Sequence, residues 1–140
     1  MAEEDGPGGV AIDQTPHILV ADDVAEIREI ARFHLERAGF RVTEAAGGEE
    51  ALNQVRQAAP DVLLLDLTMP DVDGWTVLES VRAEGQLKTM RVALLTADSD
   101  EMIEHRARRA GAHAYLVKPL EGGDLTRAVQ RLLDDRDEPA

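Results

Sequence analysis

Val62-Leu63-Leu64-Leu65-Asp66-Leu67-Thr68-Met69-Pro70-Asp71-Val72-Asp73-Gly74 reads as a buried strand, Val62 to Leu65, that stops at an acid and passes into a loop shaped by Met69-Pro70. Trp75, Leu78 and Val81 then recur at helical spacing, so a third helix follows the loop. A continuous apolar run rather than an alternating one belongs to a strand covered on both faces, which is the habit of parallel sheets.

The same unit repeats on either side. Upstream, Ile18-Leu19-Val20-Ala21 makes a first strand, and Val24 to Ala38 a helix with Val24, Ile27, Ile30 and Ala31 apolar. Phe40-Arg-Val-Thr43 follows as a second strand and Glu49 to Ala58 as a second helix. Downstream come the strand Val92 to Leu95, a helix carrying Met102, Ile103, Ala107 and Ala110 and closed by Gly111, the strand Ala114 to Val117, and a last helix with Leu125, Ala128, Val129, Leu132 and Leu133. Five strands alternating with five helices predict an α/β fold, doubly wound, with strands one, three and four central because they are the most uniformly apolar. There is no internal repeat and no second apolar cluster, so the body, residues 17–133, is one domain. Residues 1–16 mix Gly, Pro and acids and are expected to be a disordered acidic leader; residues 134–140 form an acidic tail.

The 140 residues carry a net charge of −13, and the ends hold much of it. Residues 1–16 have four acids and no base, whereas His17 to Leu133 has 20 acids against 14 bases. Phosphate backbones and anionic lipid need a basic footprint, and the only one is Arg106, Arg108 and Arg109, so neither direct nucleic-acid binding nor membrane binding is expected. The absence of cysteine excludes disulfides, zinc ribbons and thiol catalysis. No apolar run reaches the roughly 18 residues of a membrane span and Met1-Ala-Glu-Glu-Asp5 is no signal peptide, so a cytoplasmic chain is expected.

In an open parallel sheet the binding crevice lies at the carboxyl ends of the strands. Strand one ends in Asp22-Asp23, strand three in Asp66, strand four in Thr96-Ala97 and strand five in Lys118-Pro119. A single acid there would be a helix cap. Three acids on one edge repel one another unless a cation sits among them, and capping gives no reason for a lysine opposite. Only 2 of the 15 basic residues are lysine, which singles out Lys118 as a compact point charge that arginine would not replace. A hard-oxygen cluster without His or Cys suits Mg²⁺, and an ammonium with a hydroxyl suits phosphoryl oxygens.

The order acid pair, Asp, Thr-Ala, Lys-Pro on five βα units resembles the receiver domain of two-component response regulators, the chemotaxis regulator fold. Leu63 to Gly74 looks like that family's phosphorylation loop, and Gly111-Ala-His-Ala-Tyr115-Leu-Val-Lys118-Pro119 like its final strand. The resemblance covers His17 to about Leu133. It implies a five-stranded parallel sheet of order 2-1-3-4-5 between two helix layers, Mg²⁺ as cofactor, and Asp66 as the phosphoacceptor. It implies further that Asp23 and Asp66 bind the metal directly, that the Thr68 carbonyl adds an oxygen, and that Asp22 acts through water. Lys118 would pair with the phosphoryl group, Thr96 followed by Ala97 would bond to it, and Tyr115 would change rotamer. Thr68 and Asp98 would flank the path of attacking water and so bear on the phosphoryl lifetime. The implied partners are a sensor histidine kinase or phosphotransfer protein, a downstream protein target, and a second copy through helix four, strand five and helix five. Such a protein would be no enzyme beyond its own phosphorylation and dephosphorylation. Met1 and the acidic ends lead to the expectation of a stand-alone regulator.

Two rivals stand beside this reading. Asp71-Val-Asp73-Gly74 looks like the Asp-x-Asp-Gly element of haloacid dehalogenases, which would make the chain an aspartyl-nucleophile phosphohydrolase; here the element follows a Thr-Met-Pro loop rather than a strand, and there is no room for a cap domain. A non-switching interaction module is the other. A calcium-loop reading fails, because Met69 and Ser80 would occupy its first and last ligand positions. Asp71 and Asp73 read as loop and N-cap residues of the third helix, Trp75 as half-buried packing, and His17, His34, His105 and His113 as residues without metal-spaced partners.

Overall fold

The computed structural model of the chain describes residues 15–137. The elements run β1 (His17–Ala21), α1 (Ala25–Arg37), β2 (Arg41–Ala45), α2 (Gly48–Gln57), β3 (Val62–Asp66), α3 (Gly74–Ala83), β4 (Arg91–Thr96), α4 (Glu101–Arg109), β5 (Ala114–Val117) and α5 (Gly122–Asp137). All strand pairings are parallel, in the order β2-β1-β3-β4-β5. From β1, one strand in from the edge, the chain winds outward to β2, crosses back to β3 in the middle of the sheet and continues to β5.

Side-chain alternation along the three central strands divides the core in two. Ile18, Val20, Val62, Leu64, Ala93 and Leu95 face α1 and α5, where Ala31, Leu35, Leu125, Val129, Leu132 and Leu133 cover them. Leu19, Ala21, Leu63, Leu65, Val92 and Leu94 face α2, α3 and α4, packing with Ala51, Val55, Val77, Leu78, Val81 and Ala107. Every residue of β1 and β3 is buried, whereas β5 at the edge is only half-buried along its length. The three uniformly apolar strands are thus the three interior ones, because only those have helices on both faces and strands on both sides.

Element boundaries differ from the sequence reading in ways with physical causes. Phe40 lies just before β2 and packs under the α1/α5 layer. Asp66 and Thr96 are the last residues of their strands, not the first beyond them, since strand pairing extends to Asp66↔Leu95 and Thr96↔Val117. A single 3₁₀ turn, Gln86–Lys88, joins α3 to β4 and is too short to leave a periodic trace. Helix α4 ends in a left-handed Gly111 (φ 105), which lets Ala112 N–H reach back to the Ala107 carbonyl at 3.0 Å and turns the chain into β5. Helix α5 runs through Asp137, past the expected boundary at Leu133. Most of the leader, residues 1–14, and the tail residues 138–140 lie outside the described residues. Among the described residues no helix is long and apolar enough to cross a membrane.

Candidate functional site

Because all five strands point the same way, their carboxyl ends deliver Asp22, Asp23, Asp66, Thr96 and Lys118 to one edge of the sheet. Carboxylate oxygens of Asp22, Asp23 and Asp66 lie within 4.8 Å of one another, the only such grouping of acids, histidines and cysteines among the described residues. Asp22 is fully buried, Asp66 is 5% exposed, and Asp23 faces solvent.

A buried carboxylate is costly unless its oxygens are satisfied. Asp22 meets that requirement twice: one oxygen accepts from Val24 N–H at 2.9 Å, and the other accepts from Lys118 Nζ at 2.8 Å. Its backbone is tied as well, since its N–H donates to the Ala45 carbonyl at 3.1 Å and its carbonyl accepts from Arg28 at 2.7 Å. The same Lys118 ammonium reaches Asp66 Oδ1 at 3.2 Å, and that oxygen also faces Thr68 N–H at 3.4 Å. One cation therefore serves two carboxylates from the end of β5, two positions from β3 and three from β1 in the sheet.

The electrostatics follow from this packing. Burial raises the Asp66 pKa above the usual carboxylate value and the charge of Asp22 adds to the rise, while Lys118 and the Thr68 N–H work against it. Burial alone would lower the Lys118 pKa, but its hydrogen bond and charge pairing with Asp22, followed by Asp66, outweigh it and hold the ammonium more firmly protonated than a free lysine. Three carboxylates against one ammonium leave a net negative cluster. Oxygen-only donors, one of them exposed, fit a small hard divalent cation such as Mg²⁺ and offer nothing to a soft metal.

The β3–α3 loop is drawn tightly around Asp66. Gly74 N–H donates to the Leu67 carbonyl at 2.9 Å, and a Cβ at position 74 would lie 2.5 Å from the Asp66 carbonyl oxygen, so α3 can begin there only with glycine. Asp73 caps α3 by accepting from Thr76 N–H at 2.9 Å. Asp71 is the loop residue expected, and it has a further part: it accepts from Gly48 and Glu49 N–H, both at 3.1 Å, and so caps α2. Neither acid belongs to the carboxylate cluster, which removes the footing of the Asp-x-Asp-Gly rival.

On the other side of the site Thr96 is 6% exposed, and its Oγ1 accepts from Asp98 N–H at 3.1 Å. Ala97 is exposed between them. The Tyr115 hydroxyl donates to the Asp98 carbonyl. The Lys118–Pro119 peptide is cis. Trp75 is half-buried, with the Arg106 guanidinium 4.0 Å from its ring centroid. His113 Nδ1 accepts from Val92 N–H at 3.0 Å and His17 Nε2 pairs with Thr43 Oγ1 at 2.7 Å, so both histidines are structural. Sequence reading missed the Lys118–Asp22 pair, the Asp71 cap and the Asp98 link, all contacts between distant or backbone partners.

The family profile described as "Response regulator receiver domain" matches residues 18–130. The transcriptional regulatory protein ResD of Bacillus subtilis (strain 168) is 37% identical over 124 residues, 87% of this chain and 50% of ResD, so the chain spans about half the length of that relative. A 14.6 kDa protein encoded in the sodA1 3′ region of Leptolyngbya boryana is 37% identical over 114 residues, 81% of this chain and 87% of that protein. Among solved structures, chemotaxis protein CheY4 of Vibrio cholerae superimposes with a TM-score of 0.80 at 32% identity, over 85% of this chain and 99% of CheY4.

Proposed function

Because this chain belongs to the response regulator receiver domain family of two-component systems, we propose that it is a phosphoacceptor signalling protein whose acceptor is Asp66. The observation that carries the reading is the Lys118 ammonium lying between Asp22 and Asp66 at the mouth of a three-carboxylate cluster. The donor is a phosphohistidine of a sensor kinase or phosphotransfer protein. A carboxylate oxygen of Asp66 attacks phosphorus, the P–N bond breaks, the imidazole leaves and takes up a proton, and an acyl phosphate remains on Asp66. Water later attacks the same phosphorus, the P–O bond to Asp66 breaks, and inorganic phosphate departs.

Each neighbour has a part in that exchange. Asp66 must be ionised to attack, and the nearby ammonium favours the ionised form against its burial. Lys118, a point charge already aimed at Asp66, pairs with an oxygen of the arriving phosphoryl group. Asp23 and Asp66, with the Thr68 carbonyl, would hold Mg²⁺, and Asp22, both of whose oxygens are engaged, would act through water. The ion would supply positive charge against the oxygens of the transferring phosphoryl group. Thr96 donates its hydroxyl to the new group and thereby alters the Asp98–Tyr115 link on the face of α4, β5 and α5, where a downstream protein or a second copy docks. The phosphohistidine chemistry goes with a cytoplasmic location.

A small acyl phosphate with Mg²⁺ tests the reading. One phosphoryl group per chain, Mg²⁺-dependent and slowly lost, supports it. Multiple turnover of the donor would make the chain a hydrolase, and no adduct under any Mg²⁺ concentration would leave an interaction module.

A further inference from the structure

The loop that follows Asp66 is fastened to α2 as firmly as to α3. At one end, Leu67 is buried and its carbonyl accepts from Gly74 N–H at 2.9 Å. At the other, the Asp71 carboxylate spans the first two N–H groups of α2, those of Gly48 and Glu49. The backbone closes the same gap. A Cβ at Gly48 would fall 2.1 Å from the Val72 carbonyl oxygen, and one at Gly47 would fall 2.9 Å from both carboxylate oxygens of Asp71. The amino end of α2 therefore sits directly on the 72–73 peptide, an approach that at position 48 only glycine allows. The N–H groups of Val72, Glu49 and Gly48 hold the Asp71 carboxyl below its usual pKa, so it stays ionised in this role. Thr68 lies exposed in the stretch between these fastenings, beside the buried Met69.

We infer that Asp71 is a positioning residue for the cation site: by clamping the loop to the amino end of α2, it holds the Thr68 carbonyl in place as an oxygen ligand. The inference rests on the reading of Asp23, Asp66 and Thr68 as the Mg²⁺ site. A ligand carbonyl on a slack loop must be ordered when the ion binds, which weakens affinity; a loop already clamped avoids that loss. Asp71 itself lies outside the carboxylate cluster and acts only through the segment it fastens.

The structure also supplies the control. Glu50 supports the same end of α2 through partners outside the loop, accepting from Ala46 N–H at 2.9 Å and from the Gln54 side chain at 3.3 Å. Calorimetric Mg²⁺ titration of the full chain, with thermal melting alongside, compares Asp71→Ala, Asp71→Asn and Glu50→Ala. The expected result is an Mg²⁺ dissociation constant raised about tenfold in Asp71→Ala. Asp71→Asn, which keeps one of the two acceptor oxygens and sets an amide NH2 against the second N–H, falls between Asp71→Ala and the parent. Glu50→Ala binds Mg²⁺ as the parent does, although it weakens the same helix end and removes the same charge. Parental affinity in Asp71→Ala, or equal weakening in Glu50→Ala, overturns the positioning role. If Asp71→Ala does not fold, the comparison of Asp71→Asn with Glu50→Ala decides: a weakening shared equally by the two overturns the role. A parent that binds no Mg²⁺, or an Asp23→Ala variant that binds it as well as the parent, overturns the site itself.

Discussion

Thr96 and Tyr115 share the backbone of one residue: Asp98 donates its N–H to Thr96 Oγ1 at 3.1 Å and accepts the Tyr115 hydroxyl on its carbonyl. The buried end of β4 is thereby linked to a side chain on the edge strand that a partner would meet. If rotation about χ1 carries Thr96 Oγ1 away to a phosphoryl oxygen, the Asp98 N–H loses its acceptor, and Asp98, whose carbonyl holds Tyr115, is free to shift.

Thr96→Ala should still be phosphorylated on Asp66 but should uncouple Tyr115. One hydrogen bond to a charged group is worth roughly 1.5 to 3 kcal/mol, enough to change a two-state ratio by about ten- to a hundredfold. NMR of the beryllofluoride-treated variant should show a much smaller change around Tyr115 than the parent, with Thr96→Ser restoring it. A full parental change would route the switch elsewhere.

Lys118→Arg keeps the charge but replaces a point ammonium, 2.8 Å from Asp22 and 3.2 Å from Asp66, by a planar fork. Affinity of the phosphorylated variant for its target should fall by about tenfold, or roughly 1.4 kcal/mol. Binding measured by calorimetry at parental strength would mean that charge alone suffices.

Asp23 is the solvent-facing member of the cluster, so its removal should cost metal affinity rather than stability. Asp23→Ala should keep the parental melting temperature without metal and raise the Mg²⁺ dissociation constant by at least about tenfold, because so small a ligand set leaves mostly waters. Trp75 fluorescence offers a readout.

His113 gives the fold a pH dependence away from the site. Burial, then the charge of Arg91, lowers its pKa below the usual 6.5, and its neutral Nδ1 accepts from Val92 N–H across β4 and β5. The unfolded chain thus binds the proton more readily. The stability that His113 contributes is complete above its unfolded pKa and is lost as pH falls through the lower folded value. Melting of the parent from about pH 7.5 to about pH 5 should fall faster than that of His113→Asn, whose side-chain oxygen can take the same N–H. Parallel curves would contradict the assignment.

The candidate site was readable where each of its residues ends its own apolar run, because strand polarity alone gathers such residues at one edge. Asp22, Asp23, Asp66, Thr96 and Lys118 carry that signal locally. The pairing of Lys118 with the buried Asp22 spans 96 positions, and nothing in either neighbourhood says which acid the lysine takes. Asp71 and Asp73 look alike in sequence, yet one caps the helix behind it and the other the helix ahead, a choice made by how closely Gly48 approaches Val72. The central strands were legible from uniform apolarity, while the single turn Gln86–Lys88 left no period to find.

Asp66 alone is expected to accept the phosphoryl group, since it alone combines a strand-end carboxylate with the acid pair and Lys118. Intact-mass and peptide mass spectrometry after incubation with a small acyl phosphate and Mg²⁺ reads it directly. The parent should gain one phosphoryl group on the peptide containing Asp66, and Asp66→Asn should gain none. The same adduct on another aspartate of Asp66→Asn, formed at the parental rate, would contradict the claim.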